Sequence, residues 1–179
     1  MALAERTNNR ARILDAARRI VEQRGTAHLT IEAVAAEAAL SKGGVIYHYG
    51  SKRALLAALR DAALEDLSAR YAEQPADTSA LAAWLRAHRA STAAPPALGA
   101  AMLANAAEDP EMLDPLRRFV RARLNDVVAE AADPDLARLM FLAVLGLRFD
   151  EMFGLVGFRS EELNRLEARL EAFAEALGT

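Results

Sequence analysis

Three residues suited to cap a helix stand within one short stretch: Thr30, Ser41 and Ser51. Each has a hydroxyl able to accept a hydrogen bond from a free amide of the turn that follows. Their spacing leaves room for two short helices and the start of a third. Ile31 to Ala38 reads as the first, with Glu32 well placed for its dipole. Ala39-Leu40-Ser41 is a three-residue connection, and the second helix opens at Lys42. Two short helices joined this tightly make a helix-turn-helix. In that motif the second helix enters the major groove of double-stranded DNA and its N-terminal residues meet base edges. In this chain those residues are Lys42, Gly43 and Gly44.

The second helix has further features that local folding does not require. Paired glycines weaken a helix, but a backbone without side chains can approach another surface closely. Val45 and Tyr49, four apart, face inward together and leave Lys42, Ile46, Tyr47 and His48 to point elsewhere. Of the two tyrosines, Tyr49 is assigned to the core. His48 beside Tyr47 can donate to a phosphate oxygen, whereas His28 and His88 read as surface or satisfied core histidines. Behind Ser51 stand Lys52 and Arg53, cations at a helix terminus that is already positive. An outside anion reverses the sign, so exposed amides plus Lys52 make a phosphate site. The chain's two lysines, Lys42 and Lys52, both fall in this stretch. A solvated basic turn explains the charges, but not the lysines, glycines and tyrosines together.

The net charge of −3 argues against nucleic acid until its distribution is considered. Residues 1–60 hold ten Lys and Arg against five Asp and Glu, while residues 61–179 hold twelve against twenty. A basic head on an acidic body is the asymmetry expected when one part meets phosphates and the rest does not. Apolar residues make up 53% and aromatics 6%, with alanine and leucine dominant, which is an all-α composition. The chain has no cysteine, which removes disulfides, thiolate metal sites and a cysteine nucleophile. Zinc, carboxylate-metal and phosphate-loop signatures are also missing, so neither an enzyme, a metal nor a cofactor is expected. No apolar run approaches the ~20 residues of a membrane span, and Met1 to Asn9 does not read as a signal peptide. The expected location is cytoplasmic.

Along the chain, a first helix is read from Arg10 to Arg24, with Ile13, Ala16, Ala17, Ile20 and Val21 on one stripe and Gly25 as its stop. Arg6, Arg10 and Arg12 before or in its first turn are either a solvated flank or an arm reaching the DNA backbone or minor groove. A long helix runs from Arg53 to about Ala72, and Gln74 to Ser79 separates head from body. Helices follow at about 79–92, 97–107, 111–131, 134–153 and 160–177, divided by Pro95-Pro96, Asp109-Pro110, Asp133-Pro134 and Gly154 to Ser160, with Pro115 bending or restarting the third. Two domains are expected, 1–52 for DNA and 53–179 for ligand binding and dimerisation.

The last two helices suggest how the body assembles. Leu163, Leu166, Leu170, Phe173 and Leu177 form a coiled-coil-like seam. The preceding helix, with Leu136, Leu139, Phe141, Leu142, Val144 and Gly146, is apolar nearly all round and therefore expected to be buried on every side. A chain of this length cannot surround it alone, so a partner subunit is the simple explanation; the alternative is an intramolecular core. Trp84, Met102, Met112, Phe119, Met140, Phe141, Phe149 and Met152 are candidates to line an apolar pocket, though core packing accounts for most such residues. Arg86, His88 and Arg89 either select an anionic ligand or form a solvated face.

Residues 10–60 resemble the DNA-binding domain of the TetR (tetracycline-repressor) family of bacterial transcriptional regulators. The resemblance lies in "ILDAA" in the first helix with Gly25 at its end, the Thr-capped second helix, and "LSKGGVIYHYGSKRALLAAL". It implies that Thr30, Tyr47, His48 and Lys52 bind phosphates, and that Lys42, Gly43 and Gly44, on the helix capped by Ser41, lie against bases. It also implies that the last two helices pack against their twins as a four-helix bundle. Two positions depart from the family pattern. Ala39 stands where glycine is usual, and a left-handed alanine costs on the order of 1 kcal/mol. Ile46 stands where many members have an aromatic; it can touch a thymine methyl but cannot hydrogen-bond. The function implied is a homodimeric repressor of a palindromic operator, released by a small-molecule inducer. Two other readings remain: a dimeric small-molecule-binding protein whose helix-turn-helix no longer binds DNA, and an activator of the same family.

Overall fold

The structure is a computed structural model that describes residues 2–91, 96–106 and 109–177, with side chains given for residues 8–176 of those ranges. The side chains of Arg6, Pro95 and Leu177, singled out above, lie outside the described residues. The predicted caps form as expected. Thr30 Oγ1 accepts from Ala33 N at 3.0 Å, Ser41 Oγ from Gly44 N at 3.0 Å, and Ser51 Oγ from Ala54 N at 3.1 Å. They open α2 (Ile31–Glu37), α3 (Lys42–His48) and α4 (Lys52–Ala72). The remaining helices are α1 (Ala2–Arg24), α5 (Ala80–Ala90), α6 (Pro96–Ala106), α7 (Asp114–Glu130), α8 (Pro134–Phe153) and α9 (Ser160–Leu177). A 3-10 turn over Pro110–Leu113 precedes α7, which restarts with Pro115 in its first turn. No described helix is long and apolar enough to cross a membrane.

One boundary differs from expectation. Helix α1 begins at Ala2 rather than Arg10, because residues 2–9 hold neither proline nor glycine to stop it. Arg10 and Arg12 therefore sit inside a helix, not in a first turn or a free arm.

Two cores organise the chain. The first packs Ile13, Ile20, Val34, Val45, Leu55 and Leu59 from α1 to α4, and also takes Leu98, Ala101 and Met102 from α6. The second gathers Leu81, Trp84 and Leu85 of α5, Val127 of α7, Phe141 and Val144 of α8, and Ala174 of α9. Helix α6 thus completes the head while touching the body: a Cβ on Gly99 would meet Met152 Cε of α8 at 2.5 Å. Two further ties join α4 to the α6–α7 connection. Arg60, nearly buried, donates to the Met112 carbonyl at 2.7 Å, and Arg53 Nε lies 2.6 Å from Asp109 Oδ2.

The turn between α2 and α3 keeps its left-handed residue despite the alanine: Ala39 has φ 51°. Arg12 of α1 holds this turn, donating to the Ala38 carbonyl at 2.7 Å and the Ala39 carbonyl at 3.5 Å. Ala39→Gly should stabilise the chain by about 0.5–1 kcal/mol, the relieved strain outweighing the added unfolded-state entropy. Arg12→Ala should cost about 1 kcal/mol, and less in the Ala39→Gly background. Urea denaturation of the four chains measures this coupling, and additive effects would show that Arg12 does not hold the strained turn.

Candidate nucleic-acid interface

Helix α3 divides its faces cleanly. Val45 and Tyr49 are buried, while Ile46 is 46% and Tyr47 66% exposed. His48 is half-buried, its ring edge-on to Tyr47 at 5.1 Å. Thr30 and Ser41 stand exposed at the mouths of α2 and α3 with their hydroxyls used as caps. Lys42 Nζ pairs with Glu32 across the two helix starts at 2.6 Å, both side chains exposed. The ammonium accordingly lowers the Glu32 pKa by hydrogen bonding. A surface pair of this kind contributes little to stability and leaves Lys42 able to exchange partners. Lys52 Nζ donates to the Thr26 carbonyl at 2.6 Å, and Lys52, like Thr30, is exposed.

The paired glycines serve different ends. A Cβ on Gly44 would stand 3.2 Å from Ser41 Oγ, so the cap itself favours its absence. Around Gly43 the nearest atom is that same Oγ at 4.0 Å, so nothing among the described residues calls for a glycine there. Gly43→Ala should therefore raise stability by about 0.5–1 kcal/mol through helix propensity. If a DNA surface lies against it, the same change should weaken operator binding about tenfold. Thermal melting and fluorescence anisotropy on one preparation test both halves, and unchanged DNA affinity would remove Gly43 from the interface.

Arg10 and Arg12 are spoken for within the head. Arg10 Nε lies 3.5 Å from Tyr49 Oη and its guanidinium 5.7 Å from the Tyr49 ring centre, and Arg12 clamps the turn. Their partners are 39 and 26 residues away in sequence, so no local pattern could have revealed these roles.

In the body, the structure brings together Trp84, His88, Phe119 and Phe141 of the residues named above as candidate ligand contacts. The Trp84 ring stacks on Phe141 with centroids 5.0 Å apart, meets Phe119 at 6.0 Å, and is approached edge-on by His88 at 3.9 Å. His88 Nδ1 lies 3.0 Å from the Trp84 carbonyl, and burial pushes the His88 pKa down to about 4, so the ring is neutral. Tyr71 and Arg123, which the sequence did not single out, border the cluster: the Arg123 guanidinium lies 4.5 Å from the Tyr71 ring centre and 5.8 Å from that of Phe119. Met102 is not part of this group; it belongs to the head core because α6 does. Phe149 is not either, since it pairs with Phe153 at 4.6 Å on the open side of α8. A nearby cavity lined by Leu81, Val127, Ala137 and Ala174 measures about 20 Å³, room for about one water.

Helix α8 buries only one face. Ala137, Phe141 and Val144 point inward, while Leu136, Leu139, Leu142, Phe149 and Phe153 form an exposed apolar stripe. Gly146 lies on this stripe, and a Cβ there would meet nothing within 4 Å. On α9 the expected seam divides between two faces. Leu170 packs against the body core, Leu166 and Phe173 are exposed, and Leu163 is half-buried. The cause is Glu167, 4% exposed, which Arg148 and Arg89 draw inward and which thereby sets the rotation of the helix.

Comparison with known proteins gives the following. Residues 13–59 match a family described as bacterial regulatory proteins, tetR family, and residues 78–175 match one described as tetracyclin repressor-like, C-terminal domain. No curated protein matches the chain. Among solved structures, a candidate TetR-family regulator from Rhodococcus sp. aligns with a TM-score of 0.71 at 21% identity, over 96% of this chain and 100% of its own. A transcriptional regulator from Rhodococcus sp. Rha1 aligns at 0.74 and 20%, over 94% and 97%. The multidrug binding protein EbrR, complexed with ethidium, aligns at 0.60 and 27%, over 90% and 97%.

Proposed function

We propose that this chain, which belongs to the TetR family of bacterial transcriptional regulators, acts as a homodimeric repressor that binds a palindromic operator and releases it when a small molecule enters the body. The observation that carries the reading is α3: its inner face is locked into the head core, and its outer face presents Lys42, Gly43, Ile46 and Tyr47. A helix held on one side and polar-aromatic on the other suits insertion into a major groove. Ile46 is suited to a thymine methyl, while Thr30, Tyr47, His48 and Lys52 surround that helix as phosphate contacts.

Dimerisation is supported by the α8 stripe. A glycine inside a helix costs about 1 kcal/mol, and among the described residues no atom comes close enough to call for Gly146. A second helix crossing closely at that point would give it a purpose. The partner's α8, with Leu166 and Phe173 of α9 beside it, completes a four-helix bundle whose two recognition helices fall about 34–36 Å apart, or a multiple of that.

Release follows from how the cores share α6. A ligand that moves α8 pushes on α6 through Met152 against Gly99, and α6 forms part of the head core with Leu98 and Met102. The effector shifts the equilibrium by binding the DNA-incompetent arrangement better. EbrR, a multidrug binding protein, supports the body as a small-molecule site.

The two lysines separate positioning from reading. Lys52→Ala should weaken binding to all sequences and lower the salt slope by about one unit, whereas Lys42→Ala should relax preference at one base position. Anisotropy titrations on operator and scrambled duplexes across salt distinguish them, and equal loss on all DNA from both changes would contradict this division of roles.

A further inference from the structure

The body holds three buried side-chain nitrogens with no hydrogen-bond acceptor: Trp84 Nε1, Arg123 Nε and Arg148 Nε. Buried donors are rarely left unpaired, and each such case asks for an explanation. Trp84 is fully buried, so its N–H is shut off from bulk solvent. All three belong to side chains in or beside one ring cluster. The Phe119 ring lies 6.0 Å from Trp84 and 5.8 Å from the Arg123 guanidinium. The His88 ring centre lies 3.9 Å from that of Trp84, and Arg148 is near enough to His88 to disfavour its cation.

The carboxylates around this cluster are already engaged. Glu167 accepts from both Arg148 and Arg89, Glu151 pairs with Arg148 at 2.6 Å, and Asp126 with Arg123 at 3.1 Å. The fourth buried atom without a hydrogen bond, Asp109 Oδ2, stands elsewhere, 2.6 Å from Arg53 Nε. The site is therefore short of acceptors. Its walls are flat: Trp84 and Phe141 stack within 13° of parallel. The ring faces best placed to attract a cation, Tyr71 and Phe119, already carry Arg123.

We propose that the body takes a flat aromatic molecule bearing an acceptor oxygen, a carboxylate or carbonyl, which lies against Trp84, Phe119 and Phe141 and receives the N–H groups of Trp84 and Arg123. This rests on reading the body as the effector domain and names the class of effector. The rings close on one another in the free chain, and the ligand enters beside Tyr71 and Phe119, which are half-buried. Planar cations are disfavoured, because Arg123 already lies over the Tyr71 and Phe119 rings and Glu130, the carboxylate acting on Tyr71 outside the ion pairs above, accepts from Ala80 N at 2.8 Å.

The chain's one tryptophan is Trp84, so its emission reports on this site alone. Full-length protein should be titrated with biphenyl-4-carboxylate, 4-acetylbiphenyl and biphenyl-4-methylammonium, followed by calorimetry and Trp84 emission. Both oxygen-bearing probes should bind at least about tenfold more tightly than the cation, and their order tells whether the acceptor is charged or neutral. Trp84→Phe keeps a ring and removes the N–H, and should weaken the oxygen-bearing probes about tenfold. Arg123→Met, read by calorimetry and at a less buried position, gives the same test if Trp84→Phe does not fold. Equal or tighter binding of the cation, no effect of either substitution, or no probe binding by protein that still holds specific DNA would each overturn the proposal. Probe binding with this selectivity by protein that shows no specific DNA binding would uphold the site and remove the regulator reading instead.

Discussion

Arginine at both Leu139 and Leu142 should leave a folded monomer that has lost its operator, with specific DNA affinity down by about a thousandfold. The two leucines are 64% and 59% exposed in the single chain, so neither supports its core, and the thermal transition of the monomer should survive. In the proposed dimer each leucine meets the partner's α8, so an arginine would bury an unpaired charge there twice, once from each copy. Loss of the dimer leaves each recognition helix to bind a half-site alone, without the millimolar effective concentration that tethering provides. Sedimentation gives the mass and anisotropy the affinity. A variant that remains dimeric would show that the stripe is covered by something else. A monomer that still binds operator at full strength would show that two half-sites are not needed.

Acidification from pH 6.5 to 4 should remove about 2–3 kcal/mol of stability through His88 alone. The sign follows from linkage. The folded pKa, about 4, lies below the unfolded value of 6.5, so between these limits the unfolded chain binds a proton that the folded chain refuses. Stability therefore rises with pH through this window and is fully present above 6.5. Burial is the main cause, and Arg148 adds to it. Asp66 and Asp150, whose pKa values are lowered from 3.8, lose their contributions below the window. Glu151 opposes His88: burial raises its pKa above 4.5, so its protonation favours the fold as pH drops. The difference between this chain and His88→Leu isolates the histidine. After correction for the lost packing, denaturant midpoints should coincide near pH 7 and separate toward pH 4, where the chain with His88 falls below His88→Leu, and parallel curves would mean that the fold does not depress the His88 pKa.

What was legible in the sequence was what short-range physics determines. Caps act over three residues, so Thr30, Ser41 and Ser51 marked their helices correctly. The inward pair Val45 and Tyr49 follows from a four-residue repeat, and both are buried. Ala39 stood out as a residue placed where a left-handed turn was due, and its φ of 51° bears this out. Contacts over long separations were not legible. Nothing near Arg12 announces the carbonyls of Ala38 and Ala39, and nothing near Lys52 announces that of Thr26. Helix α6 looked like part of the body, yet its apolar side finishes the head core, which removed Met102 from the ring cluster. The leucine repeat of α9 reads as one seam only if every polar residue stays outside. Glu167 breaks that assumption because two arginines from α5 and α8 satisfy it inside.

The most direct test is selection of duplex DNA from a random library by the purified chain, at near-physiological salt and with excess random competitor. A specific dimer should enrich a two-fold symmetric sequence with half-site centres about 10 base pairs apart or a multiple of that. The Leu139→Arg, Leu142→Arg chain should enrich nothing under the same conditions. Recovery of a pool no different from the starting library, with retention that depends on salt but not on sequence, would contradict the assignment of α3 as a reader of DNA.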